Sequence, residues 1–482
     1  MRLFVKAARF TGNALAELPL MEYRTALFFL FLYYIRPQDW IPALIGFNII
    51  RPMILMWIIS FATSRRRSAT PGILKTPHDW AILVYYLYVS WNSGDFSGTL
   101  KAFMPYVVFY AFTVHSLTSW ERVLGYIKGW NFMLMGVAAM AIGSLFGVDL
   151  TNAADVTMYY EGRLSLGTWM HNNPNALAHS VIVVMPLSYV LYFWKKGVIG
   201  RLIVFPACTA LACFCVYQTQ SKGAFLVGGV LFVLIFVVGR PKSIQILALA
   251  MAATIGVSAL SFLPRMEQMS NLKADEGVQG RLMVWELARN VTKTKSEGDG
   301  WKQFVGHIVW QGQWETKATH SSYVQVGGDL GINGLFCYLL PLWLAIRSLL
   351  VGARMTRDDP DKERCRRAIM ILVIAYLISG WMINREYHTE YFLLVAAAAA
   401  IHRLNLAGEL GIVADTEEDL ENATLASSQP QTDALTLPPQ PLEEIAEGGK
   451  RLWNRITLVD VAAGAAMTQA VLFTWDYVLE NL

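Results

Sequence analysis

Apolar residues fall in blocks along most of this chain, and polar residues are confined to the breaks between them. The blocks run roughly 16–22 residues, the length that carries a helix across about 30 Å of hydrocarbon. Read this way, the chain has about twelve spans: approximately 21–35, 43–63, 78–93, 103–117, 128–147, 176–194, 198–217, 223–239, 244–264, 322–351, 368–384 and 390–404. Strands of alternating polar and apolar residues, the mark of a membrane β-barrel, do not occur. The expected fold is all-α, a polytopic helical membrane protein with one large hydrophilic loop, 265–319, between spans nine and ten.

The basic residues of the short loops give an orientation. Arg65, Arg66 and Arg67 follow the second span, Lys195 and Lys196 the sixth, Arg240 and Lys242 the eighth. Arg354, Arg357, Lys362, Arg364, Arg366 and Arg367 follow the tenth. All four clusters follow even-numbered spans, so both termini are expected in the cytoplasm and the long loop outside it.

Residues 1–20 read as a cytoplasmic amphipathic lead-in, with no cleavable signal pattern. The expected membrane domain is 21–404. Residues 405–450 turn acidic and rich in Pro and Gln, the composition of a disordered linker. Residues 451–482 read as an amphipathic helix, a further span being disfavoured by Asp460 and Gln469.

Composition agrees with a membrane protein. Of 482 residues, 55% are hydrophobic and 16% charged, against about a quarter charged in a soluble domain. The five cysteines show no metal-finger spacing and none lies in the long loop, so neither zinc nor a disulfide framework is expected. The loop holds eight basic and seven acidic residues, a foldable mixed surface rather than a polybasic arm. Within it Gly280 to Val291 has helical apolar spacing, and a cap with short helices is expected.

Three positions outside the cytoplasm draw attention as chemistry: Lys222 in a polar turn between two spans, Arg281 in the long loop, and His320 where the tenth span begins. An imidazole can take a proton from a hydroxyl near neutral pH. A guanidinium grips phosphate with two parallel hydrogen bonds, and an ammonium supplies a point charge. Together they suit transfer of a sugar from a lipid pyrophosphate, where the departing pyrophosphate must be neutralised and the acceptor deprotonated. That chemistry requires no nucleotide, metal or covalent intermediate. His307, Glu315 and His320 match no metal-site spacing.

His320-Ser321, nine residues, then Gly331-Ile332-Asn333-Gly334 resembles the histidine signature of the O-antigen ligase family. Gly280-Arg281…Trp285 is similar to the family's loop arginine motif, Ser221-Lys222-Gly223 to its Ser-Arg-Gly turn, and Asn173-Pro174-Asn175 to its Asn-Pro-Asn element. The resemblance covers about 160–400. It implies a GT-C-like, twelve-span glycosyltransferase of the bacterial inner membrane that takes glycan from undecaprenyl pyrophosphate without a cofactor. It further implies His320 as base and Arg281 as pyrophosphate clamp. The family's arginine is replaced here by Lys222, which removes bidentate phosphate binding at that position. The acidic linker and terminal helix lie outside the family pattern.

Plainer readings stand beside these. A histidine at a helix start often caps or anchors, Arg281 can simply pair with Asp275, Glu276 or Glu286, and Lys222 can snorkel to headgroups. Arg163 and Arg385 face the same side as further phosphate or glycan contacts or as interfacial anchors. Asn173 and Asn175 are candidate contacts or simply a turn. The acceptor, whether lipid A core, a second glycan chain or a protein hydroxyl, separates ligase, polymerase and protein O-oligosaccharyltransferase, and the histidine motif favours the ligase. A lipid-linked glycan flippase is the reading from another class, since twelve spans with both termini inside is a common transporter layout.

Overall fold

The structure is a computed structural model that describes residues 18–47, 49–63, 71–236, 242–243, 245–246, 250, 276–310, 312–409 and 454–482. It is 74% helical. In chain order the main helices are α1 Leu18–Tyr34, α2 Ile50–Thr63, α3 Pro77–Trp91, α4 Phe96–Ser116, α5 Trp120–Ser144, α6 Pro174–Phe193, α7 Gly200–Thr219 and α8 Lys222–Phe236. After the long loop's helix α9, Glu276–Thr294, come α10 Ser322–Val351, α11 Pro360–Ser379, α12 Thr389–Glu409 and α13 Leu458–Asn481. Among the described residues, α5, α6, α7, α10, α12 and α13 are long and apolar enough to cross a membrane, and α2 and α8 contain shorter apolar helices.

Helices overlap eleven of the expected spans, and five of those helices, α5, α6, α7, α10 and α12, are among the six long and apolar enough to cross. The ninth, 244–264, lies largely outside the described residues, as do Arg65 to Arg67, Arg240 and most of 405–450. The helix α12 runs to Glu409, five residues into the expected linker. All five cysteines are free.

The centre of the bundle is α12, buried from Tyr391 to Ala407 against α4, α10 and α11. Its five consecutive alanines, Ala396 to Ala400, let those neighbours approach closely, the means by which helices associate where lipid offers no hydrophobic drive. The helix α3 begins where Pro77 fixes the first turn and the Asp79 carboxylate accepts from the Thr76 N–H at 3.2 Å. That carboxylate also accepts from Arg403 of α12 at 2.6 Å and from Tyr110 of α4 at 2.7 Å. At the same end Ser348 of α10 lies 3.2 Å from His78 and 3.1 Å from His402. At the other end the Tyr88 hydroxyl of α3 donates to the Leu330 carbonyl at 3.0 Å. The helices α3 and α10 are thus antiparallel neighbours, as their expected orientation requires.

Two expectations differ from the structure. The described part of the loop is not a set of short helices. Among its described residues, 276–310 and 312–319, it has one long helix, α9, followed by an antiparallel hairpin, β1 His307–Trp310 and β2 Gln313–Thr316, in which His307 pairs with Thr316. Nor is α13 amphipathic. It buries Val471, Leu472 and Trp475 yet leaves Leu458, Val459, Phe473 and Tyr477 exposed, so it is apolar on all sides between its terminal acids. Asp460, which argued against a span, sits in the first turn as a capping residue and pairs with Arg347 of α10.

Candidate functional site

The His320 segment has no regular secondary structure and is tied down on both sides. Ser321 is the N-cap of α10: its hydroxyl accepts from the Val324 N–H and donates to the Gly380 carbonyl at 3.1 Å. A cap oxygen of this kind satisfies an otherwise orphaned N–H of the first turn, which explains a small polar residue after the histidine. Thr319 donates from its hydroxyl to Asn384 at 3.0 Å, and its carbonyl accepts the Trp285 indole N–H of α9 at 2.7 Å. Between these anchors His320 has φ +50°, a left-handed conformation that is uncommon for a side-chain-bearing residue. Strain of this kind persists where the surroundings over-determine it, often at working sites.

Trp285 lies one helical turn beyond Arg281, so one helix supplies both the brace for the His320 segment and the guanidinium beside it. Arg281, His320, Gly277, Gly280, Lys317 and Ala318 line one open cleft of about 340 Å³. The His320 ring is half-buried, and among the described residues neither of its nitrogens has a hydrogen-bond partner. Burial, and secondly the positive charge of Arg281, pull its pKa down to about 4. The imidazole is accordingly neutral at pH 7 and keeps a lone pair for an incoming proton.

Lys317 was not singled out in the sequence, although it is three residues before His320. Its ammonium stands 4.0 Å from the centre of the Trp310 ring and 3.3 Å from Glu315. The signal that could have found it is a basic residue between the loop's last strand and the histidine. Lys222 does not line this cleft. It opens α8 beside Gly223, where a Cβ would lie 3.2 Å from His179 Nε2 and 3.1 Å from Met382. His179 in turn lies 3.1 Å from Ser379, the neighbour of the Gly380 whose carbonyl holds Ser321, so Lys222 lies on the flank of the same region.

The remaining candidates make contacts within the scaffold. Arg163 donates to the Thr219 carbonyl at 3.1 Å and to the Asn175 side chain at 2.9 Å, stitching the loop before α6 to the turn that carries Lys222. Asn173 caps α6, its side-chain oxygen accepting from the Asn175 N–H at 2.9 Å. Arg385 is buried and committed: it pairs with Glu390 at 2.5 Å and donates to Ser180 and to the Ala176 carbonyl.

The signature glycines have a steric explanation. At Gly331 the helix α10 breaks, with φ +66° and ψ −165°, a combination essentially reserved for glycine. A Cβ there would strike the Ser296 carbonyl, so the break admits the segment that follows α9. At Gly334 a Cβ would lie 3.1 Å from the Tyr88 ring. Beside them Asp329 accepts from the Phe304 N–H at 2.9 Å and from the Tyr387 hydroxyl at 2.9 Å, locking the loop to the bundle.

Residues 207–339 match the family model described as O-Antigen ligase. The match spans 133 of the 482 residues, so this stretch is similar to the O-antigen ligase-like superfamily. No curated protein matches the chain. The O-antigen ligase-like stretch contains Lys222, Arg281, Lys317, His320, Gly331 and Gly334, and so the whole lining of the cleft. Arg163, Asn173, Asn175 and Arg385 lie outside it. Members of this superfamily are glycosyltransferase-type enzymes whose partners are, in general, lipid-linked glycans and acceptors.

Proposed function

We propose that this protein transfers a glycan from undecaprenyl pyrophosphate to an acceptor hydroxyl at the outer face of the bacterial inner membrane, without a metal and with inversion. The observation that carries this reading is one cleft lined by a guanidinium, an ammonium and an imidazole that has no hydrogen bond among the described residues. Arg281 and Lys317 hold the pyrophosphate, with Lys222 on its flank. A ring nitrogen of His320 takes the acceptor proton. The acceptor oxygen then bonds to the anomeric carbon as the bond to the phosphate oxygen breaks, and its electron pair departs with undecaprenyl pyrophosphate. One displacement inverts the anomeric centre.

The electrostatics favour that order. With the cleft empty, Arg281 and burial keep the imidazole a weak base. The donor's negative charges offset Arg281 and raise the imidazole's proton affinity, so His320 becomes basic when there is a leaving group to expel. The histidine motif favours a ligase acting on lipid A core. Polymerisation or protein O-glycosylation would use the same cleft with a different acceptor.

The test is a comparison of purified wild type and His320→Ala, supplied with undecaprenyl-pyrophosphate glycan and candidate acceptors. Release of undecaprenyl pyrophosphate with mass added to one acceptor, lost in the folded variant, supports the reading and identifies the acceptor. Equal transfer by both proteins removes His320 as base. Retention in the product, or full dependence on an added divalent cation, sinks the mechanism. No transfer, with lipid-linked glycan crossing vesicles instead, turns the reading to a flippase.

A further inference from the structure

The C-terminal helix lies against α10 in strict antiparallel order. Its first turn meets the far end of α10: Asp460 pairs with Arg347 and accepts from the Trp343 indole at 3.1 Å. One turn on, a Cβ at Gly464 would lie 2.9 Å from Phe336 and 3.4 Å from Leu340. Near its end Trp475, fully buried, packs against Gly327, where a Cβ would be 2.8 Å from the indole. Since α10 starts beside His320, α13 ends on the side of the cleft. Just before α13, the Asn454 side-chain oxygen accepts from the His402 ring at 2.8 Å, in the cluster at the opposite end of the bundle. Twenty-four helical residues rise about 36 Å, enough to cross the hydrocarbon.

The charges agree. Lys450, Arg451 and Arg455 precede the helix, whereas Asp476 and Glu480 occupy its last turns. Basic residues stay on the cytoplasmic side. Between Asp460 and Asp476 the helix has no charged residue, and on its outward face Gln469 is a single uncharged amide among Ala465, Ala466 and Phe473.

Its far end reaches the site. The Arg289 guanidinium of α9 grips both Asp476 carboxylate oxygens, at 2.8 and 2.7 Å, and Lys293 stands 3.6 Å from the same carboxylate. The Trp475 indole donates to the Trp285 carbonyl at 3.2 Å. Trp285 is the residue whose own indole holds the Thr319 carbonyl, next to His320.

We infer that α13 is a further membrane crossing whose outer end, through Trp475 and Asp476, braces α9 and so positions Arg281 against His320. The carboxyl terminus then lies on the side of the cleft, opposite the cytoplasmic position expected from the sequence. Trp475 and Asp476 are positioning residues: neither lines the cleft. The positioning role rests on the glycan-transfer reading, whereas the crossing does not.

Two measurements on the full-length protein separate these. In spheroplasts, Asn481→Cys is expected to react with a membrane-impermeant maleimide, while Asp358→Cys reacts only after permeabilisation. Reaction of Asn481→Cys only after permeabilisation overturns the crossing, whether or not the protein transfers glycan. For the brace, hydrogen exchange over 276–294 should accelerate at least tenfold in Asp476→Ala and return toward wild type in the charge-swapped Arg289→Asp/Asp476→Arg. Unchanged exchange in Asp476→Ala overturns the brace. In the transfer assay, the donor KM of Asp476→Ala should rise several-fold with kcat within about twofold, and the swap should restore it. A fall in kcat alone at unchanged donor KM also overturns the positioning role.

Discussion

Replacing Gly331 by alanine isolates the steric logic of the histidine signature. The residue holds φ +66° and ψ −165°, and forcing an L side chain into that region costs about 1–3 kcal/mol. The new Cβ would collide with the Ser296 carbonyl and lie 2.7 Å from the Gly298 nitrogen, so segment 296–300 must withdraw. That segment is tied to α10 by Asp299 N–H to the Gly328 carbonyl at 3.0 Å and Gly300 N–H to the Asp329 carbonyl at 2.7 Å. Losing two such bonds costs about 1 kcal/mol each. The sum is roughly 3–5 kcal/mol, concentrated where the C-terminal end of α9 joins the bundle. Gly331→Ala should therefore melt well below wild type in detergent and lose most transfer, as α9 carries Arg281 away from His320. Gly229→Ala, whose Cβ meets open space in the helix α8, is the control and should be neutral or stabilising by up to about 1 kcal/mol. A Gly331→Ala protein that melts with wild type and transfers within twofold of it would refute the argument.

Two further outcomes follow from the cleft. Because His320 is held to about pH 4 and acts as the neutral base, kcat/KM should stay level as the pH falls from 8 to about 5, then drop through about 4. In Arg281→Gln one of the two causes disappears, so the acid limb should move upward yet stop short of the ordinary value of about 6.5, since burial remains. A wild-type limb at 6.5, or one that does not move in the variant, contradicts this. The same shift predicts that stability declines as the pH falls from 6.5 to 4, where the unfolded chain takes up the proton and the folded one does not. For Lys317→Ala we expect a several-fold higher donor KM with little change in kcat, and recovery in Lys317→Arg; an unchanged KM would confine Lys317 to the hairpin, over Trp310.

Much of the architecture was legible in the sequence because membrane helices are specified locally. A run of apolar residues long enough to span hydrocarbon must satisfy its own backbone, and a helix is how it does so. Hence the helices fall where the apolar blocks fall, and Pro77, Ser321 and Asn173 start helices by capping rules that act within a few residues. The pairing of Arg281 with His320 was legible too, through short motifs in the loop. Other facts depended on which helix lies beside which. The sequence offers the charge of Asp460 as an objection to a span, and only its contact with Arg347 on α10 turns that charge into an end-cap. Arg163 and Arg385 look free to bind phosphate until Asn175 and Glu390 are seen to occupy them. Lys317 enters the cleft because a hairpin folds back over α9, a pairing no local pattern announces. And Gly331, readable as one letter of a motif, owes its necessity to a carbonyl 35 residues earlier in the chain. Local rules set the helices and their ends. Tertiary contact decided which charges are spent on the scaffold and which are left facing the cleft.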